Sequence, residues 1–405
     1  IMTEMERGRL ERLVTQSNNE GPDSQMNATF ISADGVDVKL RYNLGVRNRG
    51  HGSRRHLPNN FRLNFPHDRQ WKGVKAINLN SRYIYYQLAG SAIFQLSGLP
   101  QANATAVQVR VNGRDLAESG QSMYGSYVQL EVIDSDFASN HFPDNAGGNS
   151  YKGIRDNGPA DLQYRGSNPD SYRNSYFKGT NESEDDWAGL MDLCYVMSET
   201  PDDIYVEEVK RVADVEKWLR FFAISALLDN SETSIANGYG DDYYLFNGVE
   251  DPRFVLIPHD LDTIFDRGNT TSSIFRASGL QTIDHFLTHP EFIGRYYFHL
   301  KDLIETTFSE EQLRSFLDNL LGDFVPENRI RNMTNYVEAR SRHILSLIPS
   351  ELTVLTDLPQ SNGYFQSSEN AFSLYGTADA VKTRSVLVDG QVTKWSPVDG
   401  MWDFG

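Results

Sequence analysis

Two pairs of aspartates border the apolar runs 243–246 and 254–257 near the middle of the chain. They are Asp241 and Asp242, before the first run, and Asp260 and Asp262, after the second. Asn-Gly and Asp-Pro turn signals join the runs, which predicts a β-hairpin. A hairpin places the start of its first strand beside the end of its second, so these carboxylates are expected at one edge. Because Mg²⁺ prefers such oxygen ligands, the pattern predicts a metal site.

A glycine- and arginine-rich segment, 47–55, lies upstream and is suited to binding phosphate. Its glycines let backbone N–H groups approach an anion, and an arginine such as Arg49 can donate two parallel hydrogen bonds to phosphate oxygens. The segment is neither a Walker A loop nor a dinucleotide fingerprint, so neither fold is predicted. The wider stretch 41–75 holds nine Lys or Arg and a single acid, whereas 181–216 holds twelve acids and two bases. The two stretches are either solvated faces or an anion-facing and a cation-facing strip.

Strand patterns dominate the first part of the chain and helix patterns the second. The predicted strands are 28–31, 36–42, 60–65, 106–111 and 126–133, with one helix at 83–96. The predicted later helices are 215–227, 283–306, 309–321 and 327–348, on either side of the hairpin. Strands followed by helices indicate a two-lobed α+β domain, expected over 28–348.

The two ends of the chain differ from this central domain. Residues 1–27, with a Ser/Asn/Gly/Pro stretch at 17–24, are predicted to form a flexible arm. Residues 349–405 alternate as short strands and predict an all-β, sandwich-like module. At about 57 residues it is shorter than a sandwich of roughly 100, which indicates a truncated module.

Composition excludes several classes of protein. The net charge of −17 argues against a duplex nucleic-acid binder, and no apolar run is long enough to span a membrane. The single cysteine, Cys194, excludes an intrachain disulfide and is expected to be a buried thiol. The first residues do not form a signal peptide.

Five segments in order resemble motifs of the CotH family of atypical protein kinases. The segments are 49–54 running into 61–65, then 126–137, 149–153, 241–246 and 257–262. The resemblance spans 45–265 and implies a kinase-like fold that transfers phosphate from ATP, with Mg²⁺, to a protein hydroxyl. Mn²⁺ or Ca²⁺ are alternatives to Mg²⁺. It also implies a secreted or cell-surface location.

The resemblance implies a role for each matching residue. Asp260, Asp262 and Asp242 take metal-binding positions. Arg49, Arg62, Glu131 and Lys152 take positions that organise the nucleotide.

The sequence departs from the family pattern where catalysis would occur. Glu232 stands where the family has its catalytic Asp, and Asp241 replaces a His and is the second candidate base. A strand Lys is missing, and Arg62 is the nearest cation. One open alternative is therefore a non-catalytic surface or scaffold protein that binds nucleotide or metal. The 20 Tyr, the 5 Trp and the C-terminal β segment leave open a second, a carbohydrate-associated surface protein.

Overall fold

The computed structural model describes residues 1–15, 24–50, 52–154, 158–232, 234–368 and 372–405. Of the segments discussed above, His51, Thr233 and most of the stretch 17–24 lie outside the described residues. The chain is an α+β protein with two sheets, a helical part and a C-terminal β segment, which confirms the predicted fold class.

The first sheet is antiparallel and has the strand order β1-β2-β3-β4-β8-β5. Its strands are β1 (Met26–Ala33), β2 (Val38–Asn48), β3 (Phe61–Asn64), β4 (Ala76–Asn80), β5 (Ala104–Val107) and β8 (Tyr127–Glu131). A small hairpin, β6 (Arg110–Val111) with β7 (Arg114–Asp115), lies between the last two. One face buries apolar side chains such as Leu44, Val46 and Leu63. Helix α2 (Ile84–Leu96) packs at β5 and β8 and joins this sheet to the helical part.

The N-terminus is a helix where the sequence predicted a flexible arm. Helix α1 (Glu4–Thr15) places Leu10 in the core beneath the first sheet. The N-terminal amine of Ile1 donates to the Thr29 carbonyl at 2.7 Å. The arm prediction is therefore wrong for the first fifteen residues. Burial of a single apolar position is too weak a periodic signal to separate a docked helix from a solvated one.

The second sheet is antiparallel, with the order β10-β9-β11-β12. Its strands are β9 (Asn149–Gly153), β10 (Tyr176–Lys178), β11 (Tyr243–Asn247) and β12 (Val255–Pro258). The predicted hairpin is confirmed as β11 and β12, with Tyr243 opposite Pro258. Strand β9 pairs with β11 and is not among the strands that the sequence predicted.

Helices surround the second sheet. They are α3 (Ser135–His141), α4 (Asp170–Arg173), α5 (Ala188–Glu199), α6 (Asp202–Val212), α7 (Val215–Leu228), α8 (Ser234–Asn237), α9 (Gln281–Thr288), α10 (Pro290–Glu305), α11 (Glu310–Leu321) and α12 (Glu327–Leu347). The helix predicted over 283–306 is two helices, because Pro290 starts a new one. Cys194 on α5 is fully buried, as predicted. None of the described helices is long and apolar enough to cross a membrane.

The C-terminal segment consists of short antiparallel strands in the residues described. They are β13 (Gln360–Ser361), β14 (Tyr364–Phe365), β15 (Leu374–Thr377), β16 (Leu387–Val388), β17 (Gln391–Val392), β18 (Lys394–Ser396) and β19 (Met401–Phe404). Trp402 is buried, and the Tyr297 hydroxyl of α10 donates to the Val398 carbonyl at 2.5 Å. The segment is thus docked on the helical part.

Candidate active site

The hairpin ends bring Asp242 and Asp260 to the same edge of the second sheet. Asp242 directly precedes β11, and Asp260 follows β12 by two residues. Both have left-handed backbone conformations, with φ of 47° and 53°. Aspartate tolerates this region better than most residues other than glycine. The hairpin therefore turns sharply at both ends, where the two carboxylates lie.

Helix α2 fixes the segment that follows Asp260. The backbone N–H of Leu261 donates to Gln87 Oε1 at 2.9 Å, within the core. One turn further along α2, Gly90 leaves room for Leu261 and Ile264: a Cβ at Gly90 would lie 2.9 Å from an atom of each. Helix α2 thus holds the segment that carries Asp260 and Asp262.

The loop after α7 brings Glu232 toward the same aspartates. Asn230 Nδ2 donates to the Asp260 carbonyl at 3.3 Å. Asn230 Oδ1 accepts from the Glu232 N–H at 3.0 Å and from the Thr263 hydroxyl at 2.9 Å. This network joins the segment of the predicted base to the segment of the predicted metal ligands.

The base of this loop is anchored by a buried ion pair. Asp229 is 3% exposed, and Arg276 Nη1 lies 2.5 Å from its Oδ1. Its other carboxylate oxygen accepts from the Asn269 N–H at 2.6 Å and the Ser272 hydroxyl at 3.0 Å. The Asp229 carboxylate is therefore fully engaged in holding the loop.

The clustered carboxylates repel one another. Burial, followed by the charges of Asp260 and Glu232, raises the pKa of Asp262 to about 8. Burial, followed by the charges of Asp260 and Asp242, also raises the pKa of Glu232. A site in which carboxylates hold one another's pKa above the ordinary range is suited to a cation.

Two cations, Arg49 just after β2 and Lys152 on β9, lie beside these acids. Arg47 and Arg62 lie opposite one another on β2 and β3, and Arg62 lies opposite Asn78 on β4. Burial lowers the pKa of Arg49, and the charge of Asp260 opposes that effect, so the two groups are neighbours. Lys152 Nζ of β9 lies 3.7 Å from Asp242 Oδ1.

The same sheet face also carries a buried amide oxygen. Asn78 Oδ1 is buried and has no hydrogen-bond partner within the part of the chain that the structure describes. A buried acceptor left without a donor is destabilising by about 1–3 kcal/mol.

The structure brings most of the predicted site residues together, and one of them lies apart. Asp241 adjoins the cluster, and its charge contributes to raising the pKa of Glu232. Glu131, at the end of β8, instead accepts from Asn103 and Asn140 and contacts His141 Nε2 at 2.8 Å. All the hydrogen bonds of its carboxylate serve to join β8 to the start of β5 and to α3. The geometry gives Glu131 a structural setting, and its predicted nucleotide role stays a prediction.

Four residues of the site could not be predicted from the sequence motifs. His259 Nδ1 contacts Asp242 Oδ1 at 3.1 Å, and Gln87 binds the loop between the metal-ligand candidates. The charges of Arg267 and Arg82 oppose the rise in the pKa of Asp262. His259 lies inside the matched segment 257–262, but the motif assigns it no role, and Gln87 meets its partner across 174 residues of sequence.

The donor set fits a cation that a phosphate helps to hold. In the described ranges no group of three or more His, Cys, Asp or Glu side chains forms a ready-made metal site. Mg²⁺ usually takes one or two carboxylates together with phosphate and water, and Asp260 and Asp262 can supply two. Asp242, which also contacts Lys152 and His259, is the third candidate.

Comparison with known proteins agrees with this geometry. The family model described as "CotH kinase protein" matches residues 46–329, which include the second sheet and the first sheet from the end of β2 onward. The chain is also similar to "Inner spore coat protein H" of Bacillus subtilis (strain 168), with 23% identity over 284 residues, covering 67% of this chain and 74% of that protein. With its matched region containing every residue of the acidic site, the chain belongs to the CotH kinase protein family.

Proposed function

We propose that this chain binds ATP with Mg²⁺ between its two sheets and transfers a phosphoryl group to a hydroxyl of a protein. The observation that supports this most directly is the meeting of the acidic cluster with Arg49 and Lys152. Phosphoryl transfer depends mainly on positioning and on neutralising charge, and this site places fixed cations and carboxylates around one point.

Each group has a distinct part in the proposed reaction. Asp260 and Asp262 would hold Mg²⁺, which supplies neutralisation of phosphate charge when bound. Arg49 and Arg62 would bind phosphate oxygens from the sheet side. Glu232 would accept the proton of the acceptor hydroxyl, and its raised pKa makes it a better proton acceptor than an ordinary carboxylate.

Thermal denaturation with ligands tests the binding half of the proposal. ATP with Mg²⁺ should raise Tm more than ATP alone, Ca²⁺ alone or an oligosaccharide mixture. At a hundred times Kd the stabilisation should be about 2.7 kcal/mol. Asp260→Asn should remove the Mg²⁺-dependent part and leave the unliganded Tm little changed, because Asn also tolerates the left-handed backbone.

The matched control is Asp389→Asn. Asp389 has the same left-handed backbone, φ 47°, but is exposed on the turn between β16 and β17. It should respond to Mg-ATP as the wild type does. If Asp260→Asn does so too, the metal site has been placed wrongly.

Transfer to a protein tests the catalytic half. Glu232→Gln keeps the shape of the side chain but cannot accept a proton, so transfer to casein or histone should fall by about a hundredfold or more. The Mg-ATP stabilisation should persist in this variant. Normal transfer by Glu232→Gln would refute Glu232 as the base and would leave Asp241 to be tested.

A second candidate function is nucleotide binding without transfer. Two observations favour it: Glu232 replaces the family's Asp, and the Asp242 carboxylate contacts Lys152 at 3.7 Å and His259 at 3.1 Å. An ammonium so close to a metal-ligand candidate competes with a cation. Stabilisation by nucleotide with no transfer under Mg²⁺ or Mn²⁺ would support this alternative.

We also infer a location in a coat or at a surface. The support is the similarity to a protein described as an inner spore coat protein. Fractionation of the source cells with an antibody against this chain would test the location, and recovery only among internal soluble proteins would contradict it.

A further inference from the structure

Two arginines flank one aromatic ring close to Asp262 of the acidic cluster. The guanidinium carbon of Arg267 lies 3.5 Å from the centroid of the Tyr83 ring, and that of Arg82 lies 6.0 Å from it. Arg267 Nη1 also donates to the Asp262 carbonyl at 3.0 Å. An arginine that is stacked on a ring and hydrogen-bonded is fixed before any ligand arrives.

These cations have unused binding capacity. Neither forms a salt bridge with any residue that the structure describes, and Arg82 makes no hydrogen bond there. Arg82 is half-buried, and Arg267 is exposed. A guanidinium has five N–H donors, and most of those on this pair are unoccupied.

The pair is separated from the cations proposed to bind phosphate. Arg49 neighbours Asp260, and Lys152 contacts Asp242. Arg82 and Arg267 instead neighbour Asp262, and Arg267 also neighbours Glu232. The acidic cluster therefore has one cationic group at Asp242 and Asp260 and another at Asp262, where Arg267 also neighbours the candidate base Glu232.

We propose that Arg82 and Arg267 form an acceptor subsite that selects a hydroxyl flanked by carboxylates in an acidic protein segment. The inference rests on the proposed function, because it is Glu232 that the acceptor hydroxyl must approach. Arginine binds carboxylates through paired, charge-assisted hydrogen bonds, which would hold the acceptor in register with the base.

Two other occupants are outcomes of the test. The arginines could bind phosphate groups of the nucleotide, in which case their loss would weaken ATP binding. The acidic stretch 181–216 could recruit a basic acceptor instead, in which case a lysine-flanked peptide would be the better substrate.

The experiment uses the full chain and three short peptides with one serine flanked by Glu, Gln or Lys. Arg82→Gln is the more informative variant, because Arg82 has no hydrogen bond to lose in the unliganded protein. Arg267→Gln and the double variant complete the set. The matched control is Arg110→Gln, since Arg110 is an exposed arginine of β6 that likewise forms no salt bridge among described residues.

The Glu-flanked peptide should have the highest kcat/KM. Arg82→Gln should lower kcat/KM for it by about tenfold, as expected for a lost charged hydrogen bond, and should change the Gln-flanked peptide much less. Mg-ATP stabilisation should stay as in the wild type, and Arg110→Gln should change neither quantity.

Different failures have different signatures. Equal kcat/KM for the Glu and Gln peptides, or a preference for Lys, would overturn the acidic subsite while transfer itself stands. A loss of Mg-ATP stabilisation in Arg82→Gln would also overturn it, because the arginines would then serve the nucleotide. If no peptide is phosphorylated but fluorescence anisotropy shows acidic-peptide binding that Arg82→Gln weakens, the subsite stands and the transfer proposal fails.

Discussion

A single methyl group added at Gly90 should disturb the candidate site from a distance. Gly90 lies in the interior of α2, and its Cβ would lie 2.9 Å from Leu261 Cβ and 2.9 Å from Ile264 Cδ1. Carbon atoms pack best at roughly 3.5–4.0 Å. Relief therefore requires α2 and the 261–264 segment to separate by up to about an ångström, since the Leu261 Cβ is close to backbone and cannot rotate away.

Two opposing effects set the expected magnitude. Overpacking a core costs typically about 1–3 kcal/mol, whereas replacing glycine by alanine within a helix gains about 1 kcal/mol. We therefore expect a net loss of up to about 2 kcal/mol in the free energy of unfolding of Gly90→Ala. The effect on the site should be larger, because a displacement of about an ångström can cost roughly a hundredfold in rate.

The assay measures urea denaturation and Mg-ATP stabilisation of Gly90→Ala beside Gly8→Ala. Gly8 also lies within a helix, and the nearest atom to its added Cβ is the flexible end of Arg12 at 3.4 Å. Gly8→Ala should be as stable as the wild type or more so, with unchanged ligand response. If Gly90→Ala behaves like Gly8→Ala in both measurements, α2 does not position the acidic segment and the packing argument is wrong.

Two further predictions concern stability away from the ligands. Burial acts to raise the pKa of Glu131, but its hydrogen bonds with His141 and its neighbours outweigh burial and leave the pKa below its ordinary value. The Glu131 carboxylate therefore stabilises the fold at neutral pH, and this stabilisation is lost as the pH falls below about 4.5. In urea denaturation, Glu131→Gln should show a smaller difference in the free energy of unfolding between pH 7 and pH 3 than the wild type does. An unchanged difference would contradict this reasoning. Arg340 is fully buried and donates to the carbonyls of Ala226, Thr270 and Ser272. Arg340→Met leaves these carbonyls without donors, so it should lower the free energy of unfolding by at least about 3 kcal/mol in the same assay. If Arg340→Lys has the full stability of the wild type, the positive charge matters and the several hydrogen bonds of the guanidinium do not.

The acidic hairpin could be predicted because its signals are local. Two apolar runs, a turn between them and acids at the outer ends lie within about twenty residues of sequence, so pairing of adjacent strands brings the ends together. The cluster of Asp242 and Asp260 follows from that pairing alone.

The other half of the site could not be predicted, because its contacts join distant segments. Gln87 meets Leu261 across 174 residues of sequence, and no periodicity of α2 shows which polar side chain faces the loop. Strand β9 was missed because Asn149–Gly153 is short and polar, and it forms by pairing with β11 rather than by its own preference. The surroundings of Glu131 could not be predicted either, because its partners are Asn103, just before β5, and Asn140 on α3.

The acidic cluster is held in place by structure around it, not by the preferences of its own residues. Asp229, Asp242 and Asp260 all have φ between 47° and 53°, a conformation unfavourable for residues other than glycine, although less so for Asp. Burial and like charges add a second cost, seen in the raised pKa of Asp262. A cation bound there would remove the electrostatic cost while the surrounding structure continues to bear the backbone cost. Asn230 is hydrogen-bonded to both the Asp260 and the Glu232 segments. A ligand that fixes the position of Asp260 should therefore also fix the position of the candidate base Glu232, and this one side chain would link ligand binding to catalysis.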